Sequence, residues 1–253
     1  MTFNKGLVDS LCDVVAAVKP QCAYYEMYGW HGVKALYDTI AYAKEKGLFV
    51  ITDGKRNDIG TTMEAYAAAH IGKTEAFGKI FESFSADALT VNGYLGSDGI
   101  NPLLNICKEE DKGIFVLVKT SNPSSGELQD RLLGDKTVYE TMGEMCENWG
   151  KDSITDYGYS CVGAVVGATY PKQLSSLRKE MPHTFFLVPG YGAQGGAAKD
   201  IAGAFDENGR GAVINSSRGI MCAYKKGGFD EKDYAVAARK EAIRMRDEIN
   251  SVL

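Results

Sequence analysis

Apolar residues in this chain come in short runs that alternate with stretches of helical period. The runs start near residues 14, 48, 86, 113, 160, 184 and 211, as in Val14-Val-Ala-Ala-Val18, Leu48-Phe-Val-Ile51 and Gly113-Ile-Phe-Val-Leu-Val118. They are rich in β-branched and aromatic residues without polar alternation, which reads as parallel strands buried on both faces. Between them the spacing predicts helices over residues 3–12 (Leu7, Val8, Leu11 inward), 32–46 (Leu36, Ile40, Ala43), 61–71, 74–84, 100–108, 138–157, 171–180 and 232–249. Thr61 with Glu64 three residues on has capping-box spacing, and Pro171 suits a first helical turn. This rhythm implies a parallel sheet with crossover helices, and a length of 253 residues suits one (β/α)8 barrel domain over 1–253. Seven strands are readable, not eight. The chain opens on what should follow a first strand, so the expectation is an N-terminally truncated barrel whose first strand lies upstream of Met1, the alternative being that something else fills the gap.

Composition narrows the function. Apolar residues make up 45%, enough for a substantial core, and the net charge of −5 comes from scattered charges of both signs, which disfavours a nucleic-acid partner. No run is long enough to span a bilayer, and the N-terminus lacks a signal peptide's apolar segment, so a cytoplasmic location is expected. The six cysteines (Cys12, Cys22, Cys107, Cys146, Cys161, Cys222) form no C-x-x-C pair. With only three histidines, neither a zinc site nor disulfides are expected. Cys161, in an apolar strand pattern, reads as a buried free thiol, and His70 as a packed or solvated helix histidine rather than a ligand.

Polar chemistry concentrates where strands end. After Leu48–Ile51 come Asp53, Lys55 and Asp58, with Gly54 and Gly60 letting the chain turn. Asp53 and Lys55 are two apart, so they point to one side of a strand end, where α/β enzymes place their chemistry. A structural ion pair plugging the barrel mouth is the alternative. Lys19, before Pro20, is either a surface lysine or a further charge in that mouth. Thr120-Ser121-Asn122 follows the 113–118 strand and can bond a polar ring or simply make a turn. After the sixth run, Pro189-Gly-Tyr-Gly192-Ala-Gln194-Gly195-Gly196 holds four glycines in eight residues, and Arg218 follows the seventh. Loops after a barrel's last two strands commonly hold a phosphate, which Gln194, Arg218 and loop amides would suit.

The segment Asp53-Gly-Lys55-Arg-Asn-Asp58-Ile-Gly-Thr-Thr62 resembles the D-x-K-x-x-D signature of the orotidine 5′-phosphate decarboxylase family, in the K-R-x-D-I-G-x-T form of its longer bacterial branch. The resemblance runs in order through Lys19-Pro-Gln21, Thr120-Ser-Asn-Pro123, Val166-Gly-Ala-Thr169, the 189–196 loop and Arg218-Gly219. It implies a cofactor-free and metal-free decarboxylase of orotidine 5′-phosphate with Lys19, Asp53, Lys55 and Asp58 as its charged array. Lys55 would protonate C6, Asp53 would face the departing carboxylate and Lys19 would hold the array. Asp58 and Thr62 would reach a partner's site across a homodimer. Ser121 and Asn122 would meet the base, and Gly192, Gln194, Gly195 and Arg218 the phosphate. The family's first-strand aspartate, in a G-[IL]-D-like stretch, has no counterpart here. Hexulose-phosphate synthase and ketogulonate-phosphate decarboxylase share the core motif, so a phosphosugar lyase or aldolase is an alternative, as is an inactive nucleotide-binding relic.

Overall fold

The computed structural model describes residues 1–192, 197–226 and 228–253. Seven parallel strands form one sheet in chain order: β1 (Ala17–Val18), β2 (Phe49–Arg56), β3 (Ala88–Val91), β4 (Gly113–Lys119), β5 (Val162–Val166), β6 (Phe186–Pro189) and β7 (Ala212–Asn215). The principal helices are α1 (Thr2–Leu11), α2 (Gly29–Glu45), α3 (Gly60–His70), α4 (Ser97–Glu110), α5 (Val138–Gly150), α6 (Pro171–Glu180) and α7 (Tyr234–Asn250).

Two apolar layers follow from side-chain alternation. Val162, Ala164 and Val166 of β5 point outward to Leu174, Leu177 and Cys146 on the helices, while Val165 points inward. That inner cluster joins Ala17, Ile51, Ala88, Phe115, Val165, Leu187 and Val213, one residue from each strand. Residues of the first and last strands can share a core only if the sheet curls, so the strands form most of a barrel.

The curl does not close by hydrogen bonding. Among the described residues β1 pairs only with β2 and β7 only with β6. A cavity of about 470 Å³, lined by Val14–Lys19 on one rim, Ala212–Ser217 on the other, and residues of α1 and α7, lies between these edges. The two helices clasp the seam. Leu7 and Leu11 of α1 pack on Ala238 and Ala242 of α7, Phe3 stacks on Tyr234 at 4.6 Å, and Arg239 grips both oxygens of Asp13 at 2.5 and 2.7 Å.

Several local expectations fail for identifiable reasons. Residues 74–84 are not helical: Thr74–Ala76 and Lys79–Phe81 form an antiparallel hairpin. Phe77 and Gly78 between them have φ of 53° and 68°, the two-residue turn whose twist matches a hairpin. Helix α3 starts at Gly60, one residue before the expected cap, so Thr61 lies inside the first turn and no side chain caps this end. The capping box is instead at Thr137 and Glu140, opening α5. That helix stops at Gly150 rather than continuing to 157, because a 3-10 turn follows at Lys151–Ser153. The final helix begins at Tyr234, and β1 is shorter than its apolar run. His70 is buried, its ring 5.1 Å from that of Phe84, and burial lowers its pKa to about 4.

Candidate active site

The β2 strand departs from regular pairing where its charged residues begin. Thr52 pairs with Leu89 and Arg56 with Val91, so four residues on β2 span what two span on β3. Such a bulge re-aims side chains at a strand's end. Within it Lys55 has φ +47°, left-handed backbone in a residue other than glycine. That conformation costs energy and is found where surroundings impose it, often at functional sites. Here the Lys55 N–H donates to Thr90 Oγ1 at 3.0 Å.

Asp53 is the hub. Lys19 Nζ donates to its Oδ2, Gln21 Nε2 donates to the same oxygen at 2.9 Å, and Lys55 Nζ and Thr90 Oγ1 donate to Oδ1 at 2.5 and 2.9 Å. The segment after β1 is held against β2 by backbone bonds, Asp53 N–H to Pro20 O at 2.9 Å and Cys22 N–H to Asp53 O at 3.2 Å. Burial pushes the Asp53 carboxyl up, but the two ammonium groups and their hydrogen bonds outweigh it and hold the carboxyl below its usual range. Lys19 therefore sits in the mouth, not on the surface. The Asp53 side chain is 7% exposed and that of Lys55 46%, so the cage is closed beneath and the Lys55 ammonium opens upward. The aspartate–lysine pair expected from two-residue spacing forms, although through a bulge rather than a regular strand.

Asp58 does not join this cluster within the chain; its Oδ1 accepts the Ile59 N–H at 2.9 Å. Thr62 is exposed in the first turn of α3. Ser121 and Asn122 follow β4 on the same rim. Thr120 Oγ1 donates to Asn122 Oδ1 at 2.6 Å, and a Cβ on Gly167 would meet Ser121 at about 2.9 Å, so the β4 and β5 ends approach this closely only with glycine there. Pro189 pairs with Asn215, which places the loop at Gly190 beside the one at Ser216. Gly192 is exposed with φ +71°, and Arg218 is exposed at the start of a short helix, its guanidinium making no hydrogen bond or ion pair among the described residues. Gln194 and Gly195 lie outside the described residues.

Sequence reasoning did not single out Gln21 or Thr90 as ligands of Asp53, nor Lys119. The signal for the first was parity, since Gln21 is two residues from Lys19. Lys119 is wholly buried at the end of β4. Its Nζ lies 2.6 Å from Asp130 Oδ1 and 3.3 Å from Ser125 Oγ, with the rings of Tyr170 and Tyr139 at 4.5 and 5.4 Å. With Gln129, which bonds the Thr120 N–H and hydroxyl at 3.0 and 2.7 Å, it anchors the 120–130 loop. A lysine closing an otherwise apolar strand was the available signal.

Known proteins resemble this chain along nearly its whole length. The model of the "Orotidine 5'-phosphate decarboxylase / HUMPS family" matches residues 4–227. The chain is 47% identical over 251 residues to an orotidine 5′-phosphate decarboxylase of Rhodopirellula baltica, covering 98% of this chain and 82% of that protein. It is 43% identical over 251 residues to one from Caldicellulosiruptor bescii, covering 99% and 82%. Among solved structures, the OMP decarboxylase of Leishmania donovani superposes with a TM-score of 0.79 at 33% identity, over 99% of this chain and 86% of that one. An α/β sheet curled into most of a barrel, a lysine–aspartate–lysine cage at its mouth and identity along nearly the whole chain lead to one assignment: this chain belongs to the orotidine 5′-phosphate decarboxylase / HUMPS family.

Proposed function

We propose that this chain decarboxylates orotidine 5′-phosphate to UMP in pyrimidine biosynthesis, in the cytoplasm and as a homodimer, with Lys55 supplying the proton that replaces the carboxylate at C6. One observation carries this reading: a solvent-facing ammonium, Lys55, fixed at 2.5 Å on a buried carboxylate at the sheet's carboxyl end. The bond from C6 to the carboxylate breaks, CO2 leaves, and the electron pair stays on C6 until the ammonium protonates it. A positioned cation stabilises that developing charge and is at once the general acid. Asp53 faces the departing carboxylate and keeps the Lys55 ammonium in place, and Lys19 keeps Asp53 in place. Ser121 and Asn122 would hold the pyrimidine. Arg218, the Gly192 region and Gln194 would hold the phosphate, whose binding energy is used at the ring. Asp58 and Thr62, which stand clear of the cage, would complete the site of a partner subunit.

The test follows the ultraviolet absorbance of orotidine 5′-phosphate with purified protein, with and without EDTA. Turnover that survives EDTA is expected, and Lys55→Ala should lower it by about 10²–10⁴-fold while UMP still binds. Full rate in Lys55→Ala would refute the assignment of the proton donor. Mixing Lys55→Ala with Asp58→Asn should restore activity through hybrid dimers with one intact site, and no recovery would refute sharing across the interface. The family's description also names HUMPS, so a second reading is phosphosugar chemistry at the same residues. EDTA-sensitive turnover of a phosphosugar, with none of orotidine 5′-phosphate, would establish it. Binding of UMP without turnover of either would mark a relic.

A further inference from the structure

Behind the cage, on the side of β2 that meets α3, one guanidinium bridges the elements that set the cage's shape. The Arg56 side chain turns back along its own strand, and Nη1 donates to Gly54 O at 3.2 Å. Nη2 donates to Glu26 Oε1 at 2.5 Å, and the guanidinium carbon stands 5.4 Å from the ring centre of Tyr66 on α3. Glu26 belongs to the segment after β1 whose Lys19 and Gln21 donate to Asp53. The Arg56 carbonyl accepts the Asn92 N–H at 3.0 Å, which ties its main chain to the end of β3. A Cβ on Gly54 would come to 3.5 and 3.6 Å from Arg56 Cγ and Nε, so the arginine stem lies directly over that glycine. Gly54 O and Lys55 N–H belong to one peptide unit, and a side chain meets each: Arg56 Nη1 holds the oxygen and Thr90 Oγ1 the N–H, at 3.0 Å. Thr90 Oγ1 in turn donates to Asp53 Oδ1. Rotating this unit is what would relax the left-handed φ of Lys55, a conformation that persists only where its surroundings impose it. Arg56 Nε is buried and meets no hydrogen-bond acceptor among the described residues. A buried donor left unmet costs free energy, so stability alone does not account for an arginine here.

We infer that Arg56 is a positioning residue: it locks the Gly54–Lys55 peptide and so aims the Lys55 ammonium toward the substrate. Glu26 holds the guanidinium in place, and Asp53 and Thr90 take up the other side of the lock. A planar fork is needed, because one nitrogen must reach Glu26 while another reaches the Gly54 carbonyl and the plane covers Tyr66. A lysine ammonium can keep the Glu26 pair but does not reproduce that fork. The effect on rate rests on the reaction proposed for Lys55; the lock itself is a property of the fold.

The experiment compares the wild-type protein with Arg56→Lys and Arg56→Met in two readouts, each variant checked for native circular dichroism. The first is hydrogen exchange at the Lys55 amide, followed by NMR without substrate. Both variants should speed it by about 10-fold, the loss of one charge-assisted hydrogen bond, while amides of β4 exchange as before. The second is turnover of orotidine 5′-phosphate. Both variants should lower kcat by about 10- to 100-fold, as a misaimed catalytic group does, with KM and UMP affinity unchanged. If Arg56→Met does not fold, Arg56→Lys carries both readouts. A loosened Lys55 amide in a protein whose wild type does not turn over orotidine 5′-phosphate upholds the lock and refutes the proposed reaction. Unchanged Lys55 exchange in Arg56→Lys, or an active wild type whose kcat survives both substitutions with only the thermal midpoint lowered, overturns the inference.

Discussion

Removing either member of the Lys119–Asp130 pair should have very different consequences, because the two ends are buried unequally. The Lys119 side chain is fully buried and that of Asp130 is 48% exposed. Asp130→Ala leaves a buried ammonium with one hydroxyl, Ser125 Oγ at 3.3 Å, and two ring faces. Breaking a buried pair from one side costs about 3–5 kcal/mol. The tyrosine faces are present before and after the change and offset nothing, but Asp130 is half-exposed and the space it vacates admits water to the stranded charge, so a net cost of about 2–3 kcal/mol is expected. Lys119→Met keeps the stem's volume, removes the charge and releases Asp130 to water; this costs under about 1.5 kcal/mol. The double variant should then resemble Lys119→Met alone, a coupling of about 2 kcal/mol. Urea unfolding at constant m measures all four proteins, and in a chain of this size 2–3 kcal/mol is about 4–12 °C in Tm. Equal losses in the two single variants, or additive losses in the double, would refute the claim that the stranded ammonium is what costs. Lys119→Met should still raise KM for the substrate with kcat less affected, since the 120–130 loop loses an anchor.

Three further outcomes are expected. Asp53→Asn sets two ammonium groups against a neutral amide and should lower kcat by about 10²-fold or more. Because the folded carboxyl sits below its unfolded value, its stabilisation is present above the unfolded pKa and lost as pH falls through the folded one, so this variant should show a shallower acid limb in unfolding experiments. Arg218→Ala should lower kcat/KM by about 10- to 100-fold through lost charge-assisted bonds to phosphate, and an unchanged value would remove Arg218 from the site. Burial lowers His70 from 6.5 to about 4, so the folded state binds fewer protons than the unfolded one between those values. Stability should therefore rise across that window, by up to about 3 kcal/mol, and His70→Phe should flatten the rise measured by urea titration.

The strand–helix rhythm was legible because parallel strands buried on both faces leave unbroken apolar runs, as at Gly113–Lys119. The hairpin at 74–81 was not, since Phe77, Ile80, Phe81 and Phe84 fall at helical spacing and the decisive signal is the pair of left-handed residues in its turn. At the site, the charged trio after β2 stood out as chemistry. Its geometry did not, because a bulge and a left-handed Lys55 are properties of pairing with β3 rather than of the residues alone. Thr90 was hidden for the same reason, contributing through a strand distant in sequence, while Gln21 showed only its two-residue spacing from Lys19.

The seam between β1 and β7 makes this ring one fastened by a buckle rather than welded. Where the other strands lock each neighbour through main-chain bonds, here two helices hold the ends, largely through Leu7, Leu11, the Phe3–Tyr234 stack and the Asp13–Arg239 fork. Lys19 leaves the short strand beside that gap, so the charge most directly behind Asp53 has a paired strand on one side only. Loosening the buckle, for instance at Arg239, would reach the reacting end of the molecule as a slackened Lys19 long before the protein unfolds.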